Sequence, residues 1–402
     1  MEIQHQFIPL FPHAEDLDSG LADVNTLVTQ LDRQIEDASY SYHLAFEYLA
    51  ENRYSPNNFK SIRSELNLLF NWIWFVQKIS LKQVDRIMMR KFIDFCNDPP
   101  EELVAPTSYP YFITDKNTDL MQVNPKWRPF VLRGAGGYIR KTATLKAQLS
   151  LLSGFFLFLA DVEYAEKNPA AVLLRRLNVN NTRVTESEDG DKALSEVQWQ
   201  YVTAQVDDLV EEDPNKHQRT KLLFTLLYYL YPRVSEIAAR PGFTPLMSNF
   251  KKHRSGVWVF SIPQSKGGKS RIIPCPEPVM IALKAYREFL GLSPLPLPDE
   301  KIPLFTRHQA GTHGRDAGVL DSQLGIEAIR GIVNDVFDKT ANAMEEEWPY
   351  EAQELRGFSI HSLRHTGISH AIAQNQPLQT VMKNAGHSDL ATLSIYTSVD
   401  LR

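Results

Sequence analysis

Five short stretches in the second half of the 402-residue chain carry side chains able to act on a phosphate group. Arg233 lies in Pro232-Arg233-Val234-Ser235-Glu236-Ile237, behind an apolar run and at the start of the next helix. The free amides and positive dipole end of a helix start favour an anion. A guanidinium adds a planar, permanently charged fork for phosphate oxygens. Lys266 lies in Ser265-Lys266-Gly267-Gly268-Lys269-Ser270-Arg271, at the tip of an expected hairpin, where a mobile lysine can reach into a site and donate a proton. His361 and Arg364 of His361-Ser362-Leu363-Arg364-His365 stand three apart and share one helical face. His387 follows Gly386, which ends one helix, while Ser388 or Asp389 caps the next; Tyr396 comes nine residues later.

Each stretch alone has a plainer reading. Arg233 could pair with Glu236 at the surface, Lys266 could belong to a basic turn, His387 to a structural turn, and Tyr396 to the core. Two other chemistries fail on spacing. A nucleotide-binding loop needs glycine five residues before Gly268, where Pro263 stands, and a strand leading into a helix rather than a hairpin. His361 and His365 have zinc-protease spacing, but Ser362 occupies the position of the required glutamate. Taken together and in order, arginine, lysine, His-x-x-Arg, histidine and tyrosine form a set for nucleophilic attack on a phosphodiester without a metal.

The elements that must position this set fall into two units. After a loose acidic arm (1–20), a long helical stretch is expected over 21–51. Ser55-Pro56 then opens an amphipathic helix with Phe59, Ile62, Leu66, Leu69, Phe70 and Ile73 inside. Ser80 caps a further helix, with Val84, Ile87, Met88 and Phe92 inward. Prolines, Tyr109, Tyr111, Trp127 and the Gly134-Ala135-Gly136-Gly137 turn mark 98–136 as an irregular insertion. Helix returns over 138–161 and 169–177, closing an all-helical unit at 177. Residues 178–193 are polar and form the linker. The second unit, 194–402, opens with a capping box at Ser195 and Gln198. An apolar helix follows at 219–231, then a hairpin from 257–262 and 271–273, then helices at 277–290, 323–344, 361–374, 377–384 and 388–397.

Composition is consistent with a globular chain: 43% apolar and 23% charged residues exclude a fully disordered, collagen-like or coiled-coil protein. The longest apolar run, Leu149–Ala160, is shorter than a membrane span, and the N-terminus lacks the basic and apolar regions of a signal peptide. Two cysteines, Cys96 and Cys275, cannot make a disulfide framework or a cysteine-based zinc site, which points to a reducing, cytoplasmic setting. The net charge of −5 conceals an uneven distribution. Residues 1–50 carry nine acids and one arginine, whereas 51–150 carry fifteen Lys/Arg against nine Asp/Glu, and 251–300 eight against four. Localised basic blocks behind an acidic head suit a nucleic-acid partner.

In these motifs the chain resembles the tyrosine recombinase (phage integrase) family over about residues 20–400. Pro232-Arg233-Val234-Ser235-Glu236-Ile237 looks like the family's first-arginine motif, and Ser265 to Pro274 like its lysine hairpin. His361-Ser362-Leu363-Arg364-His365-Thr366 matches the His-x-Leu-Arg-His box. Gly386-His387-Ser388-Asp389-Leu390-Ala391-Thr392, then Ile395-Tyr396, matches the closing histidine and nucleophile. In the first unit Ser55-Pro56-Asn57-Asn58, the Thr142-to-Leu159 helix and Asn168-Pro169-Ala170 look like the core-binding domain.

The resemblance implies a mainly α, two-domain DNA clamp: a helical core-binding (SAM-like) domain and an α+β catalytic domain with a small β-hairpin sheet. It implies strand exchange through a 3′-phosphotyrosyl intermediate. Tyr396 would be the nucleophile and His361 the proton acceptor. Arg233 and Arg364 would bind the non-bridging oxygens, Lys266 would protonate the departing 5′-oxygen, and His387 would hydrogen-bond the phosphate. Glu236 would orient its neighbours. Candidate DNA contacts are Lys60, Arg63, Lys82, Arg86, Arg90, Lys91, Arg140, Lys141 and Lys146 in the first unit and Lys269 and Arg271 in the second. No cofactor, metal or membrane is expected. The implied partners are double-stranded DNA with paired recombination sites, other copies of the chain on DNA (a tetramer in the synaptic complex), and accessory or sister recombinases. Integration, excision or transposition of a mobile element in a bacterial cytoplasm would be the role. Only six residues follow Tyr396, where many relatives carry a tail docking on the next subunit, so either the chain is truncated or assembly uses another surface. Rival readings are a type IB topoisomerase-like or telomere-resolving enzyme, and a catalytically silent DNA-binding regulator.

Overall fold

Apolar residues recurring every three to four positions make most of this chain helical, and the sequence's polar break separates two cores. The computed structural model describes residues 7–18, 21–114, 121–132, 138, 140–182, 193–263, 270–308 and 322–386. The chain divides into two units, Met1–Ser187 and Glu188–Arg402.

In the first unit, α1 (Ala22–Leu31) and α2 (Ala38–Glu51) replace the single helix expected over 21–51. The break lies at Asp37, which adopts a left-handed conformation (φ 58°). Its carboxylate accepts hydrogen bonds from the Ser80 hydroxyl (2.8 Å) and the Tyr164 hydroxyl (3.0 Å), tertiary bonds that a continuous helix would forgo. α3 (Pro56–Asn71) starts at its proline as expected and runs into one turn of π-helix at Trp72–Gln77. α4 (Arg86–Asn97) is capped by Asp85, whose carboxylate accepts from the amides of Ile87 and Met88; Ser80 instead caps a short 3₁₀ turn at 81–83. The inward face of α4 is therefore Met89, Phe92, Ile93 and Cys96, and Ile87 is 59% exposed.

The insertion holds four short strands. β1 (Val104–Ala105) pairs in parallel with β4 (Phe130–Val131), and β2 (Phe112–Thr114) pairs with β3 (Met121–Val123) in antiparallel fashion. The Gly134–Gly137 turn lies outside the described residues. α5 (Thr142–Asp161) has the length and hydropathy of a membrane span, more than its uninterrupted apolar run suggested. It is the central helix of the unit: Leu149, Leu152, Phe155, Phe156 and Leu159 are buried in the core. α6 (Pro169–Thr182) continues five residues past 177.

The arm is not loose where it is described. Phe7, Leu10, Phe11 and Leu17 are buried in the first core. Asn71 accepts from the Ile8 amide (2.8 Å) and Asn67 from the Leu10 amide (2.5 Å). Pro9 and Pro12 keep the segment extended, so its backbone groups need outside partners, and these two asparagines of α3 supply them.

The second unit opens with α7 (Glu196–Glu212) on the Ser195–Gln198 capping box. α8 (Pro214–Leu230) ends where Tyr231 turns left-handed (φ 50°), and the short α9 (Val234–Ile237) follows. β5 (Phe250–Lys252), β6 (Trp258–Ile262) and β7 (Arg271–Pro274) form an antiparallel sheet in sequence order. The expected hairpin is its β6–β7 half, in register Ile262↔Arg271. α10 (Glu277–Phe289), α11 (Ile326–Met344), α12 (Pro349–Leu355), α13 (Ile360–Ala373) and α14 (Leu378–Ala385) complete it. Leu222, Leu223 and Leu226 of α8 share a core with Phe260, Ile273, Val333 and Phe337. α13 passes so close to α8 that a Cβ on Gly367 would meet the Tyr228 carbonyl oxygen at 1.9 Å. The architecture is mainly helical with small sheets.

Candidate active site

The site is assembled where four elements of the second unit meet around one carboxylate. After Tyr231 ends α8, Pro232 keeps the chain extended and Arg233 becomes the N-cap of α9. Glu236, three residues on, folds back: its Oε2 accepts the Arg233 backbone N–H at 2.7 Å and its Oε1 accepts from Arg233 Nη1 at 3.2 Å. From β7, Arg271 donates Nη1 to Oε1 and Nη2 to Oε2, both at 2.7 Å. The Glu236 side chain is 2% exposed and is paired with these two guanidinium groups.

The third arginine comes from α13. Arg364 is buried, donates Nη1 to the Tyr231 carbonyl and donates Nη2 to the Ala385 carbonyl at 2.6 Å. Three successive carbonyls at the end of α14 thus each receive a different arginine. Asn384 accepts from Arg271 Nε at 3.0 Å, Ala385 from Arg364, and Gly386 from Arg233 Nη2 at 3.3 Å. The last carbonyls of a helix lack intrahelical partners and carry its negative dipole end, so they suit cationic donors. Gly386 makes this possible: its φ is 66°, and a Cβ there would lie 2.9 Å from Arg271 Nη1.

His361 occupies the first turn of α13, one turn before Arg364 on the same helix. Partial burial, then the charges of Arg364, Arg330 and Arg233, hold its imidazole below the ordinary value of 6.5. At neutral pH it is therefore uncharged and able to accept a proton. Among the described residues three guanidinium groups gather around one carboxylate, and two of them, Arg364 and Arg233, act on that imidazole, electrostatics that suit an anion.

Of the residues singled out from sequence, Arg233, Glu236, His361 and Arg364 come together here. Lys266, Lys269, His387 and Tyr396 lie outside the described residues. Arg271, expected on DNA, instead faces inward onto Glu236. Strand alternation held the clue, since a period of two puts Arg271 on the same face as buried Ile273 and opposite exposed Ile272. The carbonyls of α14 left no trace in residue types.

The first unit sorts its candidate DNA contacts. Lys60, Arg86, Arg90, Lys91 and Lys141 are exposed, and Lys146 is half-buried. Lys82 reaches Asp37 (3.4 Å) and lies over the Tyr164 ring. Arg140 is half-buried and donates to Gln148 Oε1 at 2.7 Å. Arg63 corrects the expectation: it is 4% exposed, donates to the Pro12 carbonyl at 3.1 Å, and stacks over Tyr111. On α3 it falls one residue from Ile62, on the buried side, where it pins the arm. In the second unit β5 and the turn after it expose Lys251, Lys252 and Arg254, which no sequence motif singles out.

Residues 202–402 match the model of the Phage integrase family. The chain is 30% identical over 290 residues to the tyrosine recombinase XerC of Thermodesulfovibrio yellowstonii, covering 69% of this chain and 79% of that one. It is 24% identical over 295 residues to the tyrosine recombinase XerD of Rhizobium meliloti, covering 72% and 80%. Among solved structures, the XerH site-specific recombinase bound to a palindromic difH substrate aligns with a TM-score of 0.54 at 14% identity, over 99% of this chain and 96% of that one. The Tn1549 transposon integrase with circular-intermediate DNA aligns at 0.53 and 14%, over 88% and 94%. At such identities the two structures show a shared fold.

Proposed function

The chain belongs to the phage integrase family and is a tyrosine-type site-specific recombinase; from that premise we propose that it cuts and rejoins duplex DNA through a 3′-phosphotyrosyl intermediate at Tyr396. The observation that carries the reading is the arginine cluster. Arg233, Arg271 and Arg364 are tied to Glu236 and to the last carbonyls of α14, immediately ahead of the segment that holds His387 and Tyr396.

In this reading Arg233 and Arg364 bind the non-bridging oxygens of the scissile phosphate. Their charge counts most at the five-coordinate transition state, where losing one such donor costs on the order of 10²–10³ in rate. A phenol has an ordinary pKa of about 10, so at neutral pH it needs cationic neighbours or a base. His361, held neutral by its surroundings, takes the phenolic proton as the Tyr396 oxygen bonds to phosphorus. The bond to the 5′-oxygen breaks and Lys266 supplies that oxygen's proton; ligation runs the same transfers backwards. His387 hydrogen-bonds the phosphate. Glu236 and Arg271 are positioning residues, fixing Arg233 rather than touching DNA. The phosphotyrosine conserves the energy of the broken phosphodiester, so no nucleotide or metal is required. Double-stranded DNA with paired sites, held by several copies of the chain, is the substrate this chemistry implies, and integration, excision or transposition of a mobile element is the role we assign it.

Incubation with a nicked suicide substrate tests the reading. Wild type is expected to trap a covalent protein–DNA adduct, and Tyr396→Phe to bind the same DNA without forming one. An adduct of undiminished yield in the variant would remove Tyr396 from the role.

A further inference from the structure

A second buried arginine lines a cavity at the other end of α8. Arg219 and Tyr231 are twelve residues apart, about 18 Å along a helix, so Arg219 is remote from the arginine cluster. It lines a cavity of about 380 Å³ with Tyr286 and Phe289 of α10 and Thr306 and His308 from the following loop. Arg219 is 6% exposed, yet among the described residues its one hydrogen bond is from Nη1 to the Thr306 carbonyl, at 2.5 Å. Its buried Nε has no hydrogen-bond partner among the described residues. The carboxylate at the cavity, Asp213, is engaged in capping α8, accepting from the Lys216 amide at 3.2 Å. Arg219 forms no ion pair with it among the described residues.

A buried guanidinium with one carbonyl partner is costly, and proteins normally offset that cost with a carboxylate. Among the described residues none is supplied, and Arg219 lines an open cavity. Its wall is fixed: the Tyr286 hydroxyl bonds Thr306 Oγ1 (3.0 Å) and accepts the Thr306 amide (3.3 Å). The rings of Tyr286 and Phe289 line the same space. We propose that this cavity is a binding site for a small oxyanion, phosphate- or carboxylate-bearing, with Arg219 as its charge partner. The ligand's oxygens pair with the guanidinium where it lines the cavity, and its body lies against the two rings. The site goes beyond strand exchange and does not depend on it.

The test is an arginine Nε–H NMR titration of the full chain, with the Arg219 signal assigned from its loss in Arg219→Lys. Inorganic phosphate, and separately acetate, is added at ionic strength held constant with sodium chloride. The expected result is a saturable shift of the Arg219 signal with at least one of the two anions. His308→Glu places a carboxylate at an exposed position on the cavity and is expected to weaken that binding about tenfold or more. Movement with phosphate alone or acetate alone assigns the head group. A signal that stays still, or that drifts linearly and equally with chloride, overturns the site; so does a binding curve unchanged by His308→Glu. Signals from the arginine cluster are read separately, so failure here leaves the strand-exchange reading intact.

Discussion

The imidazole of His361 sits among Arg364, Arg330 and Arg233, and each of those charges, together with partial burial, resists a proton on it. The folded protein therefore binds that proton less readily than the unfolded chain. As pH falls below the ordinary 6.5, the unfolded state protonates first, so this group's contribution to stability declines towards acid and is recovered as pH rises. The same shift sets the activity profile. If neutral His361 accepts the phenolic proton, the acid limb of the cleavage rate should lie below 6.5. Arg330 is exposed and paired with Glu327, so Arg330→Gln leaves the core intact while removing one of the opposing charges. It is expected to move the limb towards higher pH, measured as single-turnover cleavage across pH. An unmoved limb would assign it to another group. At this scale the sequence was most legible where chemistry depends on side-chain type: Arg233, His361 and Arg364 announce themselves by motif. Arg271 did not, because its partner is thirty-five residues away and only the register of β7 turns it inward.

Gly367 lets α13 lie against α8, and α13 carries both His361 and Arg364. A methyl group there would fall 1.9 Å from the Tyr228 carbonyl oxygen and 2.9 Å from the Tyr231 ring, so the two helices must separate. Gly367→Ala is expected to lower stability by about 1–3 kcal/mol, the usual range for overpacking, as read from urea unfolding. Cleavage of the suicide substrate should fall with it, because Arg364 reaches the Tyr231 carbonyl across that same contact. Wild-type stability and cleavage together would show that α13 shifts without consequence. Elements were legible where one amphipathic face ran uninterrupted, as in α3, α5 and α10. They were misread where a single side chain overrode the pattern. Asp37 breaks 21–51 because its carboxylate is claimed by Ser80 and Tyr164 from distant parts of the chain. Asp85 takes the cap of α4, and Met89 and Ile93 are buried beside Phe92 while Ile87 is exposed. The arm was misread for the opposite reason: its anchors are few, and the asparagines that hold it belong to α3.

Across the whole chain, the formal charge of −5 conceals basic surface, and the structure separates exposed lysines and arginines from those that serve the fold. Arg90 and Lys91 project from α4 into solvent, whereas Arg63 is buried under the arm and Tyr111. Composition treats the three alike. Counterion release does not: each phosphate contact adds about 0.9 to the slope of log affinity against log salt. Replacing Arg90 and Lys91 by Gln is therefore expected to weaken DNA binding and flatten that slope by nearly two, while leaving the unfolding midpoint near wild type. Arg63→Gln should reverse the pattern. The carbonyl of Pro12 loses its donor and the Tyr111 ring its cation, so the protein unfolds at lower denaturant while the salt slope of the folded fraction stays constant. Fluorescence anisotropy over a salt series, paired with urea melts of the same preparations, separates the two effects. A flattened slope in Arg63→Gln would return that residue to the DNA surface.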